Sequence, residues 1–294
     1  DKLFQGRLPG YEGCDTVYHD RQHSLDITLA MARLLVGYDK SCAEADRLGR
    51  ERVIMGITVA LYHDAGYMRR SNEPERANGA EFTPWHVSRS ADFLRSYLPG
   101  IGLEHWADVA TRIVHFTGYE LNVDDIELDD PLDSLTGHFL GTADLMAQMA
   151  DRCYLEKCRD RLYSEFVLAG VAFSDRDGIT NHPGGVSYAS GIDLLRKTPD
   201  FYQQMAMKRL DEKFNQAYRY IEVLYDGDNP YFEFIEKNLE HLHRVIERDD
   251  WGRLRRNPPC FTVLDHPLNS VSALVSRKLA DLNAPASALT TQGD

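Results

Sequence analysis

Apolar residues recur at the spacing of an α-helix along nearly the whole chain, and this periodicity constrains the fold more than any other feature. Leu25, Leu29, Ala32 and Leu35 fall on one helical run, and Val53, Ile57, Ala60 and Leu61 on the next. Strand-like alternation is scarce. Further helices are predicted near 84–98, 104–118, 136–170, 199–226, 230–249 and 268–282, which makes the chain all-α. The punctuation agrees: Pro84 suits a first helical turn, Pro99-Gly100 followed by Gly102 closes that helix, and helix starts are read at Thr198-Pro199 and Asn229-Pro230. The segments 119–135 and 174–191 resist a helical reading and are expected to be ordered loops, the second long enough for a lid.

With 294 residues, 43% of them hydrophobic, the chain can bury a large core. No repeat or low-complexity linker divides it. The expected organisation is a core over 1–156, a helical extension over 157–284 packed on that core, and a frayed tail over 285–294. A net charge of −13 without any dense Lys/Arg run argues against nucleic acid as a partner. No apolar stretch reaches the roughly 18 residues of a membrane span, and the first residues lack the hydrophobic region of a signal peptide, so the expectation is a cytoplasmic protein without a membrane partner. The cysteines at 14, 42, 153, 158 and 260 show no CxxC spacing, which suits a reducing compartment and inert thiols. Asp124, Asp125, Glu127, Asp129 and Asp130 lack the alternation and central glycine of a calcium loop and read as a solvated surface.

Five short pieces on or beside predicted helices carry candidate ligands. They are His23 in "YHDRQHSLDI", His63 and Asp64 in "VALYHDAGY", His86 in "WHVSRS", His115 in "IVHFTG" and Asp144 in "GTADLMAQ". An imidazole and a carboxylate side by side at the glycine end of an apolar helix are expensive to bury unless a cation compensates them. Histidine and carboxylate without thiolate suit Zn, Fe, Mn or Mg.

In that order, these residues resemble the ligand set of the HD-domain metal-dependent phosphohydrolase superfamily, over roughly residues 15–156. The resemblance implies an HD-domain, phosphodiesterase-like helical bundle with two divalent metal ions. His23, His63, Asp64 and Asp144 would hold the first, and His86 and His115 the second, with Asp64 bridging and helping to orient the nucleophile. Such a pair activates water for attack on phosphorus. "YHDRQHSLDI" is similar to the YHNxxHxxDV signature of class I cyclic-nucleotide phosphodiesterases, with Asp20 in place of asparagine. That likeness implies His19 as the general acid and His23 as a ligand one turn on. The substrate it implies is a small phosphate ester, a cyclic or related nucleotide.

The late glutamine and aromatic clamp of those phosphodiesterases are not located; "FYQQM" and "FNQAY" read as core packing. Tyr67 stands where the HD-GYP and inositol-oxygenase-like relatives carry lysine, and Tyr67, Arg69 and Arg70 are candidate substrate contacts. The same ligand order serves di-iron HD-domain oxygenases, which leaves an oxygenase, or a non-catalytic metal or nucleotide sensor, as alternatives. Asp151 and Glu156 are candidates for orienting metal-bound imidazoles, and Asp175, Asp177 and His182 for reaching the site from the second loop. The helical extension is expected to supply an outer pocket wall or a homodimer surface.

Overall fold

The first apolar run folds as α1, Arg21–Ser41, with Leu35 of the expected stripe in the core but its earlier leucines turned out of it. In this computed structural model, which describes residues 1–173 and 188–283, Ile27, Ala30, Met31 and Leu34 are sealed in the core. Leu25 and Leu29 are 43% and 50% exposed. The run is apolar on nearly every side, so hydrophobicity alone leaves its rotation open. The polar His23 and Ser24 also point inward and settle it.

Helix α2, Arg50–Tyr62, buries Met55, Val59 and Ala60, with Val53 and Ile57 at the margin of the same core. A short 3₁₀ turn over Gly79–Trp85 holds Pro84 and leads into α3, His86–Tyr97; α4 follows as Ala107–Ile113. The central helix is α5, Pro131–Ala150, buried along most of its length. It begins inside the expected loop because Asp130 accepts the Leu132 amide at 2.8 Å and Pro131 occupies the first turn. Arg52 of α2 donates to Asp133 at 2.7 Å and also pairs with Asp130, so part of the acidic stretch ties two helices together.

The single helix expected over 136–170 is broken at Asp151. It resumes as α6, Tyr154–Lys157, then a π-helical turn over Cys158–Leu162, then α7, Tyr163–Ala169. Helix α8, Gly191–Phe201, is capped by the Ser190 hydroxyl, which accepts the Asp193 amide at 3.1 Å. Pro199 therefore lies inside α8 and does not start a helix. Its missing N–H removes one backbone bond, and π-helical turns at Tyr202–Ala206 and Arg209–Lys213 follow. Helix α9, Arg219–Glu222, is short. Asn229 does start α10, Pro230–Arg248, and α11 is Pro267–Asn283. No strand occurs among the described residues; Tyr11 and Arg70 form an isolated antiparallel bridge.

Leu210, Phe214, Ala217 and Ile221 insert into the core made by α1, α2 and α5, so the later part of the chain completes the hydrophobic centre of the earlier part. Each fully buried aromatic there is worth about 1.5–3 kcal/mol. Gly137 and Gly141, one turn apart on α5, leave room for the rings of Phe116 and Phe214, which a side chain would meet at 2.6 and 2.4 Å. That slot seats the segment just after His115. All five cysteines are unpaired, and burial pushes the Cys158 thiol up to about 12 and that of Cys260 up to about 11. Among the described residues no helix is long and apolar enough to cross a membrane. The expected tail, and Asp175, Asp177 and His182, lie outside the described residues.

Candidate metal centre

Three helix ends and one helix middle bring His23, His63, Asp64, His86 and Asp144 together. Asp20 caps α1: its Oδ1 accepts the Gln22 and His23 amides at 2.9 and 3.1 Å, which sets His23 on the first turn. Asp20 Oδ2 accepts the Phe261 amide at 2.9 Å, so the aspartate found where the similar motif has asparagine also fastens the C-terminal part of the chain here. His63 and Asp64 close α2. His63 Nδ1 donates to the Ala60 carbonyl at 2.8 Å, and His86 Nδ1, at the start of α3, donates to the Thr83 carbonyl at 2.7 Å. A carbonyl can only accept, so each ring presents Nε2 to the site as its free nitrogen.

Those nitrogens converge on two carboxylates. Asp64 Oδ2 lies 3.3 Å from His23 Nε2 and 3.1 Å from His63 Nε2, whereas Asp64 Oδ1 lies 3.7 Å from His86 Nε2. Asp144, in the middle of α5, brings Oδ1 to 3.8 and 3.9 Å from His23 and His63. The ligand atoms of His23, His63 and Asp144 lie within 4.8 Å of one another, and so do those of His19, His23 and Asp64; either group can hold a metal ion. His63 Nε2 and Asp64 Oδ2 are buried and complete no hydrogen bond. Two such atoms facing each other are costly unless a cation lies between them, so the donor set fits a divalent metal.

The electrostatics lead to the same conclusion. Burial would lower the His63 pKa, yet the carboxylates of Asp64 and Asp144 and the bond to Ala60 push it up to about 9. Burial would raise Asp64, but the surrounding His63, His19 and His23 hold it well below the usual carboxylate range. The two carboxylates thus retain a proton on an imidazole where nothing else supplies positive charge. His86 and His115 are instead lowered, chiefly by burial, which favours the neutral imidazole.

The raised His63 value carries a prediction for the metal-free protein. Its folded pKa near 9 exceeds the ordinary 6.5, so the protonated ring stabilises the fold fully below about pH 6.5, and that contribution is lost as pH rises through 9. Urea titration of chelator-treated protein is expected to show a fall of roughly 3 kcal/mol across that window. The fall should be clearly smaller in His63→Gln, where His19, whose pKa is also raised, still titrates.

His19 sits on the rim. Its Nδ1 lies 2.5 Å from Oε2 of Glu165, a fully buried carboxylate on α7, and Thr16 Oγ1 donates to its carbonyl at 2.8 Å. Glu165 Oε1 also accepts the backbone amides of Val17 and Tyr18 at 2.7 and 2.6 Å. Burial lowers the His19 pKa, but Glu165 and Asp64 outweigh it and the net shift is upward. The side chains of His19, His86 and Asp144 are 15%, 17% and 14% exposed against 7% and 1% for His23 and His63, so the first three form the more open edge of the cluster.

Several expected residues are placed otherwise. His115 forms no ion pair with the cluster; its Nδ1 is buried without a partner, and Glu120 is the carboxylate that acts on it. Tyr67, expected to touch substrate, is buried against His19 and His86. Arg69 is spent on Asp15 at 2.9 Å and Glu12 at 2.8 Å. Arg70 lines a separate surface hollow with Tyr11, Asn72 and Asp92. Asp151 pairs with Lys157, and Glu156 accepts the Arg256 amide at 3.2 Å, so neither orients a ligand imidazole. Of the glutamines in "FYQQM" and "FNQAY", Gln203 and Gln204 face solvent, while Phe214 is core.

Three supporting residues had no signal strong enough to single them out. Glu165 reads in sequence as an ordinary helical glutamate, marked only by the apolar Phe166, Val167 and Leu168 beside it. Glu120 caps α3, accepting the Val87 and Ser88 amides at 2.7 and 3.0 Å directly after His86. Gln148 accepts from the Tyr18 hydroxyl at 2.9 Å and donates to the Asp144 carbonyl at 3.1 Å.

Gly66 explains the glycine that follows the doublet. A β-carbon there would sit 1.8 Å from the His86 carbonyl oxygen, so only glycine lets α3 start against the end of α2. Gly66→Ala is expected to displace His86 and to destabilise the fold by about 1–3 kcal/mol or more, read by thermal melting and by a lower metal stoichiometry.

Compared with protein-family models, with curated proteins and with solved structures, the chain matches none.

Proposed function

We propose that this protein is a metal-dependent phosphohydrolase of the HD type, acting on a small phosphate ester of nucleotide character. The observation that carries the reading is a buried donor set suited to a cation, with a protonatable histidine facing it from the rim. His23, His63, Asp64 and Asp144 would hold one divalent ion; His86 and the second oxygen of Asp64 would contribute to a second. Bound there, the ions supply Lewis-acid activation of water and charge neutralisation on a phosphoryl oxygen.

The chain's own groups do the rest. His19, kept protonated by Glu165, delivers a proton from Nε2 to the departing alkoxide oxygen. Glu165 fixes the tautomer by accepting the Nδ1–H as a hydrogen bond. Asp64 divides its two oxygens between His23 with His63 on one side and His86 on the other, which supports a shared, bridging role. A phosphate ester would approach across the more open edge formed by His19, His86 and Asp144.

The test is an anaerobic screen of cyclic and linear nucleotides with protein stripped and reloaded with Mn, Zn or Fe. Release of phosphate or ring-opened monophosphate without dioxygen is the expected result. Turnover that requires dioxygen and reduced iron would establish the oxygenase alternative, and ligand binding without turnover the sensor.

A further inference from the structure

Tyr67 is 1% exposed, yet it stacks on two rings of the site at once. Its ring centroid lies 4.4 Å from that of His19 with the planes 16° apart, and 4.5 Å from that of His86 with the planes 22° apart. The two imidazole centroids are themselves 6.3 Å apart. Offset stacking at these separations fixes the plane of a ring as well as its position. The Thr83 side chain neighbours the Tyr67 hydroxyl, and the Thr83 carbonyl holds His86, so one turn anchors both rings.

His19 needs that restraint. Its ligand atom lies within 4.8 Å of those of His23 and Asp64, close enough to join them around a cation. The Glu165 bond at 2.5 Å holds only Nδ1, and a ring held at one atom can still tilt about that bond. On the other sides Tyr18 and His23 meet it edge-on, at 5.0 and 5.3 Å, and neither contact sets its plane.

We infer that Tyr67 is a positioning residue, a shared stacking platform that keeps His19 out of the metal's ligand set and so leaves its Nε2 for proton delivery. The inference rests on the hydrolase reading for the use of that nitrogen, and on geometry alone for its position. The aromatic ring carries the role, and the contact of its hydroxyl with Thr83 helps to seat it.

The test compares Tyr67→Phe and Tyr67→Leu in the full chain loaded with Co. Tyr67→Phe, which keeps the stacking ring and loses only the contact with Thr83, should stay close to the parent in its visible spectrum. Tyr67→Leu should show a changed cobalt spectrum, as an added imidazole enters the ligand set, and about a tenfold or greater fall in kcat with KM little changed. An unchanged spectrum and kcat in Tyr67→Leu overturns the inference. Should that variant not fold, nitrogen-resolved histidine NMR of the Zn-loaded parent decides: His19 Nε2 free while His23 and His63 are coordinated supports it, and a coordinated His19 overturns it. A free His19 Nε2 in a protein that hydrolyses no phosphate ester sinks the hydrolase reading and leaves the platform standing.

Discussion

Asp64→Asn is expected to abolish metal retention and to reduce ester hydrolysis by about 10³-fold or more, the largest effect foreseen for any single change. The substitution preserves volume, so packing around the site survives. What it removes is the charge that both halves of the site share, Oδ2 toward His23 and His63 and Oδ1 toward His86. It also turns an amide N–H toward imidazole nitrogens that must stay free to bind a cation. Elemental analysis after dialysis and a coupled phosphate assay read the two losses. Full metal content together with parental turnover would remove Asp64 from the centre of the scheme.

Glu165→Gln is expected to lower kcat by about 10²-fold or more at neutral pH while leaving the metal content untouched. Glutamine can still accept the Val17 and Tyr18 amides through its oxygen, so the loop before α1 is kept in place. It cannot stabilise a positive His19. Burial lowers the His19 pKa and the Glu165 charge is the largest influence opposing it, so removing that charge moves the pKa down. A general acid must be protonated to act, and turnover therefore falls as pH rises through its pKa. The alkaline limb of the rate profile should accordingly begin at lower pH in Glu165→Gln than in the parent. An unshifted limb would show that another group delivers the proton.

The two variants address different parts of the chain. Asp64 lies in a doublet whose chemistry is visible from its neighbours, and Glu165 reaches His19 from 146 residues further on. In sequence, His23, His63, Asp64, His86 and Asp144 stand out because each ends or interrupts an apolar helix with a group that water would otherwise solvate. Tyr67, Arg69 and Arg70 are a contrary lesson. Nearness to the doublet suggests substrate contacts, but a 3₁₀ turn over Ala65–Tyr67 buries the tyrosine, and Arg69 is taken up by Asp15 and Glu12.

Local pattern reaches as far as one helix and its caps. The all-α class, the starts at Asn229-Pro230 and near His23, and the order of candidate ligands follow from residues within a few turns of one another, and those the sequence determined by itself. Which face of α1 is buried, where the run over 136–170 breaks, and which carboxylate meets His19 depend on contacts between distant segments. The π-helical turn at Cys158–Leu162 shifts the register of α7 against α6, and Glu165 comes to lie under His19, an outcome that no spacing in the chain announces. Tertiary structure alone decided these, because burying a charged side chain is favourable only once the partner that neutralises it is already in place.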